Sequence, residues 1–275
     1  MVSETNNKVY KVTLENGKVL YAKFYKENSS HIDNELKVYD IVDNKYLKEV
    51  YYKSLNPKMA IFEELIGKTV SDLTDEEKEK YADKIISSVC DYFNNISNYK
   101  VDGYGILDSN LNGKYSSFLE FIKSRQEETS LILNEYKELS VLFDLIYEKY
   151  KNIMLGDNSL VPIDTNLNNI MVMNNGEIKF SDPGEMISGP ILMAYGDFVA
   201  HTYKTILYEK LIEKLKLNED EKKLLRIYAI FSSLNILAFL KKHGVDELNT
   251  IIPYGNTHTF YEMIDEHAKE LKLTR

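Results

Sequence analysis

The sequence predicts an α+β protein in two unequal lobes, a small strand-rich N-terminal one and a larger, mainly helical C-terminal one. Three observations predict it. Short alternating apolar and polar runs, one of them turned by Asn16-Gly17, occupy the region between Val9 and Phe62. From Thr74 onward, apolar residues recur at three- and four-residue spacing in long segments. A compact strand–loop–hairpin over residues 160–182 interrupts those helices and gathers Asp and Asn residues. A chain of 275 residues is long enough for such a pair of lobes.

Residues 9–14 alternate, Asn16-Gly17 makes a tight turn, and residues 19–25 return as a second strand. Lys23 sits in that strand between Ala22 and Phe24. Residues 29–43 follow a helical period, with Ile32, Leu36, Tyr39 and Val42 on one stripe and Glu35 beside it. A strand lysine with a glutamate on the next helix positions ATP phosphates: Lys binds the α- and β-phosphates, and Glu holds Lys. Taken alone, Lys23 reads more readily as a solvated strand lysine. Residues 59–62 form an apolar strand that runs into Glu63-Glu64-Leu65-Ile66-Gly67. The backbone of Glu64 and Leu65 is placed there to hydrogen-bond a purine, and side-chain identity matters little at such a connector.

The helical part opens on Thr74-Asp75-Glu76-Glu77, a capping box in which Thr accepts from a backbone N–H and Glu reaches back. Tyr81, Ile85, Val89, Tyr92, Phe93 and Ile96 give that helix a buried face. Residues 103–113 form a Gly-rich loop. Helices are expected over 115–126, 129–150, 195–215, 219–243 and 257–271. Between them, residues 160–163 enter the loop Asp164-Thr165-Asn166-Leu167-Asn168-Asn169, and residues 170–173 leave it as a strand. Asn174-Asn175-Gly176 tolerates positive φ and turns the chain into residues 177–181, which end at Asp182-Pro183-Gly184.

This unit presents an aspartate, an asparagine five residues later and a second aspartate. Phosphoryl transfer from ATP uses such a set. One carboxylate orients the attacking hydroxyl, while an amide oxygen and a further carboxylate hold the metal. Mg²⁺ is a hard cation and takes oxygen ligands. The D-x4-N spacing by itself is common in an Asn-rich chain; the strand, hairpin and following D-P-G give it meaning.

Composition narrows the partners. A net charge of −9 argues against nucleic acid and suits a cationic substrate. One cysteine, Cys90, excludes an internal disulfide and fits a reducing, cytoplasmic compartment. The first eight residues hold no apolar signal segment, and the apolar stretch 227–240 is broken by Ser232, Ser233 and Asn235. That stretch is expected as a buried helix, with no membrane partner. No internal repeat or low-complexity tract is visible.

Together these residues resemble the aminoglycoside phosphotransferase-like family, small-molecule kinases with a bilobal protein-kinase-like fold. The resemblance runs over nearly the whole chain and implies lobes at 1–66 and 67–275. The family's H-G-D-x-x-x-x-N loop is similar to Pro162-Ile163-Asp164 through Asn169, and its D-x-G element to Asp182-Pro183-Gly184. The resemblance implies ATP or GTP with Mg²⁺, and transfer of the γ-phosphoryl group to a hydroxyl of an aminoglycoside-like or other amine-bearing small molecule. It makes Asp164 the catalytic base, Asn169 and Asp182 the metal ligands, and Lys23 with Glu35 the phosphate-binding pair. Asp197, in Ala194-Tyr195-Gly196-Asp197-Phe198, would buttress the loop. The acceptor would lie over the C-terminal helices facing Asp164, with Glu185, Tyr203, Tyr254 and His258 as candidates by position.

The departures from the family pattern are specific. Pro162 stands where the family has His, and Ile163 where it has Gly. Residues 3–7 occupy the place of a Gly-rich phosphate loop without its glycines, and the first strand of the usual N-lobe is expected to be missing. These keep open a nucleotide-binding pseudokinase with a regulatory or scaffold role. Choline, homoserine and methylthioribose kinases share the fold, which does not fix the substrate. A protein kinase fits poorly, because little chain separates Asp182 from the next helix and no A-P-E element follows. Oligomeric state is not legible in the sequence.

Overall fold

The computed structural model describes residues 8–25, 31–42, 45–183, 185–254 and 256–273. Strand β1 (Lys8–Thr13) pairs antiparallel with β2 (Val19–Phe24), with Lys23 opposite Val9. Helix α1 (His31–Ile41) follows, and β3 (Val50–Leu55) and β4 (Lys58–Glu63) complete a sheet of order β1-β2-β4-β3. Ala60 of β4 lies opposite Lys23. Leu36, Val38 and Tyr39 of α1 and Phe62 of β4 are buried beneath the sheet, so helix and strands share one apolar seam. The side chain of Ile32, residues 3–7, Ser29, Asp43 and Gly184 lie outside the described residues.

Residues 64–66 connect this sheet to β5 (Gly67–Thr69) and then to α2 (Asp75–Ser97). The capping box forms as expected: the Thr74 hydroxyl accepts from Glu77 N at 3.2 Å, and the Glu77 carboxylate accepts from Thr74 N at 2.9 Å. Ile85, Val89, Phe93 and Ile96 are buried. Next come β6 (Tyr104–Leu107), β7 (Gly113–Tyr115), α3 (Phe118–Glu128), α4 (Ser130–Leu133) and α5 (Lys137–Tyr150). Strands β8 (Ser159–Ile163), β9 (Ile170–Met173), β10 (Ile178–Phe180) and β11 (Glu185–Gly189) form the centre of the larger lobe. Helices α6 (Leu192–Thr202), α7 (Ile206–Leu215), α8 (Glu219–Lys242) and α9 (Phe260–Glu270) close it. Two small sheets result, β10-β9-β5 and β7-β6-β11-β8.

Several expectations shift. Residues 103–113 are not a plain loop but mostly the hairpin β6–β7. The helix expected over 129–150 breaks after Asn134, a poor interior helix former, and Tyr136 is anchored there by its hydroxyl to Glu247 at 2.9 Å. The helix expected over 195–215 breaks where Lys204 takes φ +55°. Thr202 and Thr205 hold that break by donating their hydroxyls to Phe198 O and Thr202 O. Strands β3 and β11 had no clear local signal.

Helix α8 is long and apolar enough to cross a membrane by composition, but Ile227, Tyr228, Ile230, Leu234 and Leu237 are buried within the lobe. It packs closely on α6 at Gly196. A Cβ there would stand 2.6 Å from Tyr228 Cβ and 2.9 Å from Ala229 N. Gly196→Ala should therefore cost about 1–3 kcal/mol, read as a lower thermal midpoint.

His267 of α9 is buried beside the Tyr203 ring, 5.0 Å between centroids, and its Nε2 has no hydrogen-bond partner among the described residues. Burial, reinforced by Arg226, lowers its pKa from 6.5 to about 4. The unfolded chain thus takes up a proton first, and stability should fall as pH drops from about 6.5 to 4, by up to ~3 kcal/mol. Denaturant titrations across that range check this. His267→Leu should remove most of the slope and leave the part contributed by His201, which burial also lowers.

Candidate active site

The site is built on the ends of β8, β9 and β10. Asp164 follows β8, Asn169 precedes β9, and Asp182 comes two residues after β10. The turn between β9 and β10 forms as Asn175-Gly176 requires, with Gly176 at φ +79° and Ile178 opposite Val172. Phe180 stacks on Tyr92 of α2 at 4.0 Å, and Tyr92 donates its hydroxyl to Pro183 O at 3.0 Å. Those contacts fix the segment around Asp182 to the core of the larger lobe.

Asp164 adopts φ +64°, in the left-handed region that Asp and Asn tolerate better than other side chains. A strained backbone at a loop carboxylate is the kind of feature that active sites retain. The loop is braced from both sides. Asn166 Nδ2 donates to Asp164 Oδ1 at 2.7 Å, and Asn169 Nδ2 donates to Asp164 O at 3.2 Å. Buried Asp197 accepts from Thr165 N at 2.7 Å and Thr165 Oγ1 at 2.8 Å, and Ser232 of α8 donates to its other oxygen. Asp197 is thus a brace beneath the loop. Pro162 is tolerated because β8 is the edge strand of its sheet, covered on its outer side only at its start, where Ser159 bridges Lys100 and Leu160 N donates to Tyr99 O. Asp164 shows an exposed face to the cleft. The packing around its carboxyl, with Asp197, Asp182 and Glu185 nearby, pushes its pKa up to about 7 against the pull of Asn166.

The smaller lobe brings Lys23 to the same place. Its Nζ lies 2.8 Å from Glu35 Oε1 and 3.0 Å from Asp182 Oδ2, so β2, α1 and the end of β10 meet in one ion cluster. Tyr25 donates its hydroxyl to the same Glu35 oxygen at 2.8 Å. Burial works against the charge on Lys23, but Asp182 and Glu35 outweigh it and raise its pKa. Oxygen donors fit Mg²⁺: Asp182 offers a carboxylate, and Asn169 an amide oxygen once its nitrogen is spent on Asp164 O. Such a two-residue set suits Mg²⁺ that is also held by phosphates rather than caged by protein.

A cavity of about 220 Å³ lies beside this cluster, between the sheet and β9. Val9 and Tyr21 form one wall, Met171 the other, and Leu65 of the connector and Lys23 both border it. The connector is pinned at its start, because Glu63 accepts from Glu49 N at 2.8 Å and Lys179 Nζ at 3.1 Å. Glu64 points its carboxylate to Lys11 at 3.1 Å, which leaves only its backbone for a base.

The acceptor candidates separate. Tyr254 accepts from Asn168 Nδ2 at 2.7 Å, beside the loop, and Glu185 opens β11 near Asp164. Tyr203 is buried and donates to Glu266 at 2.6 Å, and His258 packs on it at 6.0 Å. Those two belong to a helical cluster around Glu266. Sequence reasoning missed Lys48, which also lines the cavity, as well as Tyr25, Lys179 and Ser232. Only the fold brings them in, since each lies far in sequence from what it touches.

No protein-family model matches this sequence, and no curated protein does. Solved structures do match. The apo form of a thermostable mutant of aminoglycoside phosphotransferase APH(4)-Ia is 14% identical, with a TM-score of 0.75, over 99% of this chain and 94% of that one. Another structure of that enzyme is a ternary complex with AMP-PNP and hygromycin B. Choline kinase LicA from Streptococcus pneumoniae is 15% identical, with a TM-score of 0.64, over 99% of this chain and 92% of that one. At such identities the likeness is one of fold. The chain has the α+β, bilobal protein-kinase-like fold, with a small sheet-rich N-lobe and a larger helical C-lobe.

Proposed function

We propose that this chain is a phosphotransferase that moves the γ-phosphoryl group of ATP or GTP, with Mg²⁺, to a hydroxyl of a small molecule. The observation that carries the reading is the cluster of Lys23, Glu35 and Asp182, which joins residues from three distant elements. A solvated lysine would not be held by two carboxylates beneath a sheet. In this reading, residues 1–66 form the nucleotide-binding lobe and residues 67–275 the catalytic and acceptor-binding lobe.

Asp164 receives the proton of the acceptor hydroxyl as its oxygen bonds to the γ-phosphorus and the bond to the bridging β–γ oxygen breaks, releasing the nucleoside diphosphate. The transition state is loose, so positioning does most of the work and a strong base is unnecessary. Asp197, Thr165 and Ser232 hold Asp164 in place. Lys23 supplies positive charge to phosphate oxygens, while Glu35 and Tyr25 keep it oriented. Asn169 and Asp182 would hold Mg²⁺, which neutralises triphosphate charge. The backbone of Glu64 and Leu65 faces the base.

An amine-bearing acceptor, aminoglycoside-like or otherwise, is favoured by the negative charge around the loop. Asp164, Asp182, Asp197 and Glu185 all interact electrostatically there. A choline-, homoserine- or methylthioribose-type metabolite is the alternative within the same chemistry. The reading places the protein in the cytoplasm, where nucleoside triphosphate is supplied. The pseudokinase reading rests on Pro162, Ile163 and the glycine-poor phosphate loop; of these, β8 accommodates the proline at a sheet edge with Asp164 still braced.

Nucleoside diphosphate release from the Mg²⁺ complexes of ATP and GTP tests the reading. The panel should hold aminoglycosides, other amine-bearing antibiotics, choline, homoserine and methylthioribose. Release stimulated by one compound and lost in Asp164→Asn supports it; magnesium-dependent nucleotide binding without turnover would favour the pseudokinase.

A further inference from the structure

The cavity beside Lys23 holds a second lysine. Lys48, between α1 and β3, borders it together with Phe62 of β4, and its Nζ lies 4.0 Å from the Phe62 ring centroid. Lys23 is engaged by Glu35 and Asp182, whereas Lys48 makes no ion pair among the described residues. Half-buried and resting on an aromatic face, it is a donor without an acceptor. Its place in the cavity says which part of a ligand it meets. Lys23 and Ser181 border the end next to Asp182, where phosphates belong. Phe62 is the residue before Glu63, where the connector begins, and the bridge of Leu47 to Phe180 sets Lys48 beside Ser181, so the wall of Lys48 and Phe62 lies between the connector and the Lys23–Asp182 cluster.

We propose that Lys48 reads the base of the nucleotide and that the cavity prefers guanine to adenine, making GTP the phosphoryl donor. This rests on the reading of the cleft as a nucleoside triphosphate site. A purine with one edge on the connector backbone turns its C6–N7 edge toward the wall formed by Phe62 and Lys48. On guanine that edge carries two acceptors, O6 and N7; on adenine it carries the N6 amino donor and the N7 acceptor. An ammonium only donates. Guanine therefore satisfies Lys48 with both atoms, while adenine offers it N7 alone and sets the N6 amino group against its ammonium. Lys23 already serves the phosphates, so Lys48 is free to discriminate between bases.

Calorimetric titration of the full chain with the Mg²⁺ complexes of GMP-PNP and AMP-PNP tests this. The wild type should bind GMP-PNP about tenfold more tightly. Lys48→Met, close in volume, should bring the two affinities together by weakening GMP-PNP while AMP-PNP stays within about twofold, which also reports that the variant is folded. Lys48→Arg, which keeps the donors, should retain the preference. Equal or tighter AMP-PNP binding by the wild type overturns the proposal and leaves the phosphotransferase reading standing. Equal weakening of both ligands by Lys48→Met overturns it too, because the lysine would then hold a part common to both. Binding of neither ligand would take down the nucleotide site itself, and this proposal with it.

Discussion

Asp164→Asn is expected to lower kcat by about 10²–10⁴ while nucleotide affinity and the thermal midpoint stay near wild type. The substitution removes the proton acceptor and little else. Asn tolerates the φ of +64° at this position, so the loop keeps its backbone. It also removes one negative charge from a site where Asp197, Asp182 and Glu185 already disfavour another, which relieves repulsion. Alanine is the less clean choice. It should abolish turnover equally, but a Cβ without a polar side chain in the left-handed region costs roughly 1 kcal/mol, or about 2–4 °C in thermal midpoint. Steady-state kinetics on the stimulated substrate, set beside thermal unfolding of both variants, separates catalytic loss from strain. Wild-type kcat in Asp164→Asn would remove this residue from the chemistry.

The elements that the sequence made legible are those whose partners lie close along the chain. The first hairpin, the capped helix α2, the β9–β10 turn at Gly176 and helix α8 each carry their own signal in a short window. Strand β11 does not. Its residues, Glu185–Gly189, show no clean alternation because the strand lies inside a sheet between β6 and β8, both recruited from elsewhere, and side chains on both of its faces are buried. The breaks at Asn134 and Lys204 were hidden for a related reason: the apolar period continues through both, and the helices end on the anchor of Tyr136 to Glu247 in one case and on the hydroxyl bonds of Thr202 and Thr205 in the other. The site divides along the same line. Asp164, Asn169 and Asp182 belong to one local unit, and Lys23 with Glu35 to another. The contact between the two units at 3.0 Å depends on how the lobes close. Lys48 sits in a stretch with no motif, so nothing short of the fold could place it beside Phe62.

That contact between units yields the second large effect. Asp182→Asn should lower kcat by about 10²–10³ or more, since a charged group positioned for the transferring phosphoryl contributes roughly 3–4 kcal/mol to the transition state. Its contribution to folding is far smaller. Asp182 is 31% exposed at its side chain and Lys23 12%, so solvent screens their pair in part and its loss costs on the order of 1 kcal/mol. Lys23 also keeps Glu35 at 2.8 Å, so no buried charge is left alone. The carboxylate is thus worth several times more to chemistry than to the fold, which a structural ion pair would not be. Magnesium dependence supplies the sharper readout. With an amide in place of the carboxylate, the free metal concentration needed for half-maximal nucleotide binding should rise, whereas Glu35→Gln, which touches Lys23 but no proposed metal ligand, should weaken nucleotide binding without shifting that midpoint. An unchanged metal midpoint in Asp182→Asn would leave Asp182 as a partner of Lys23 alone.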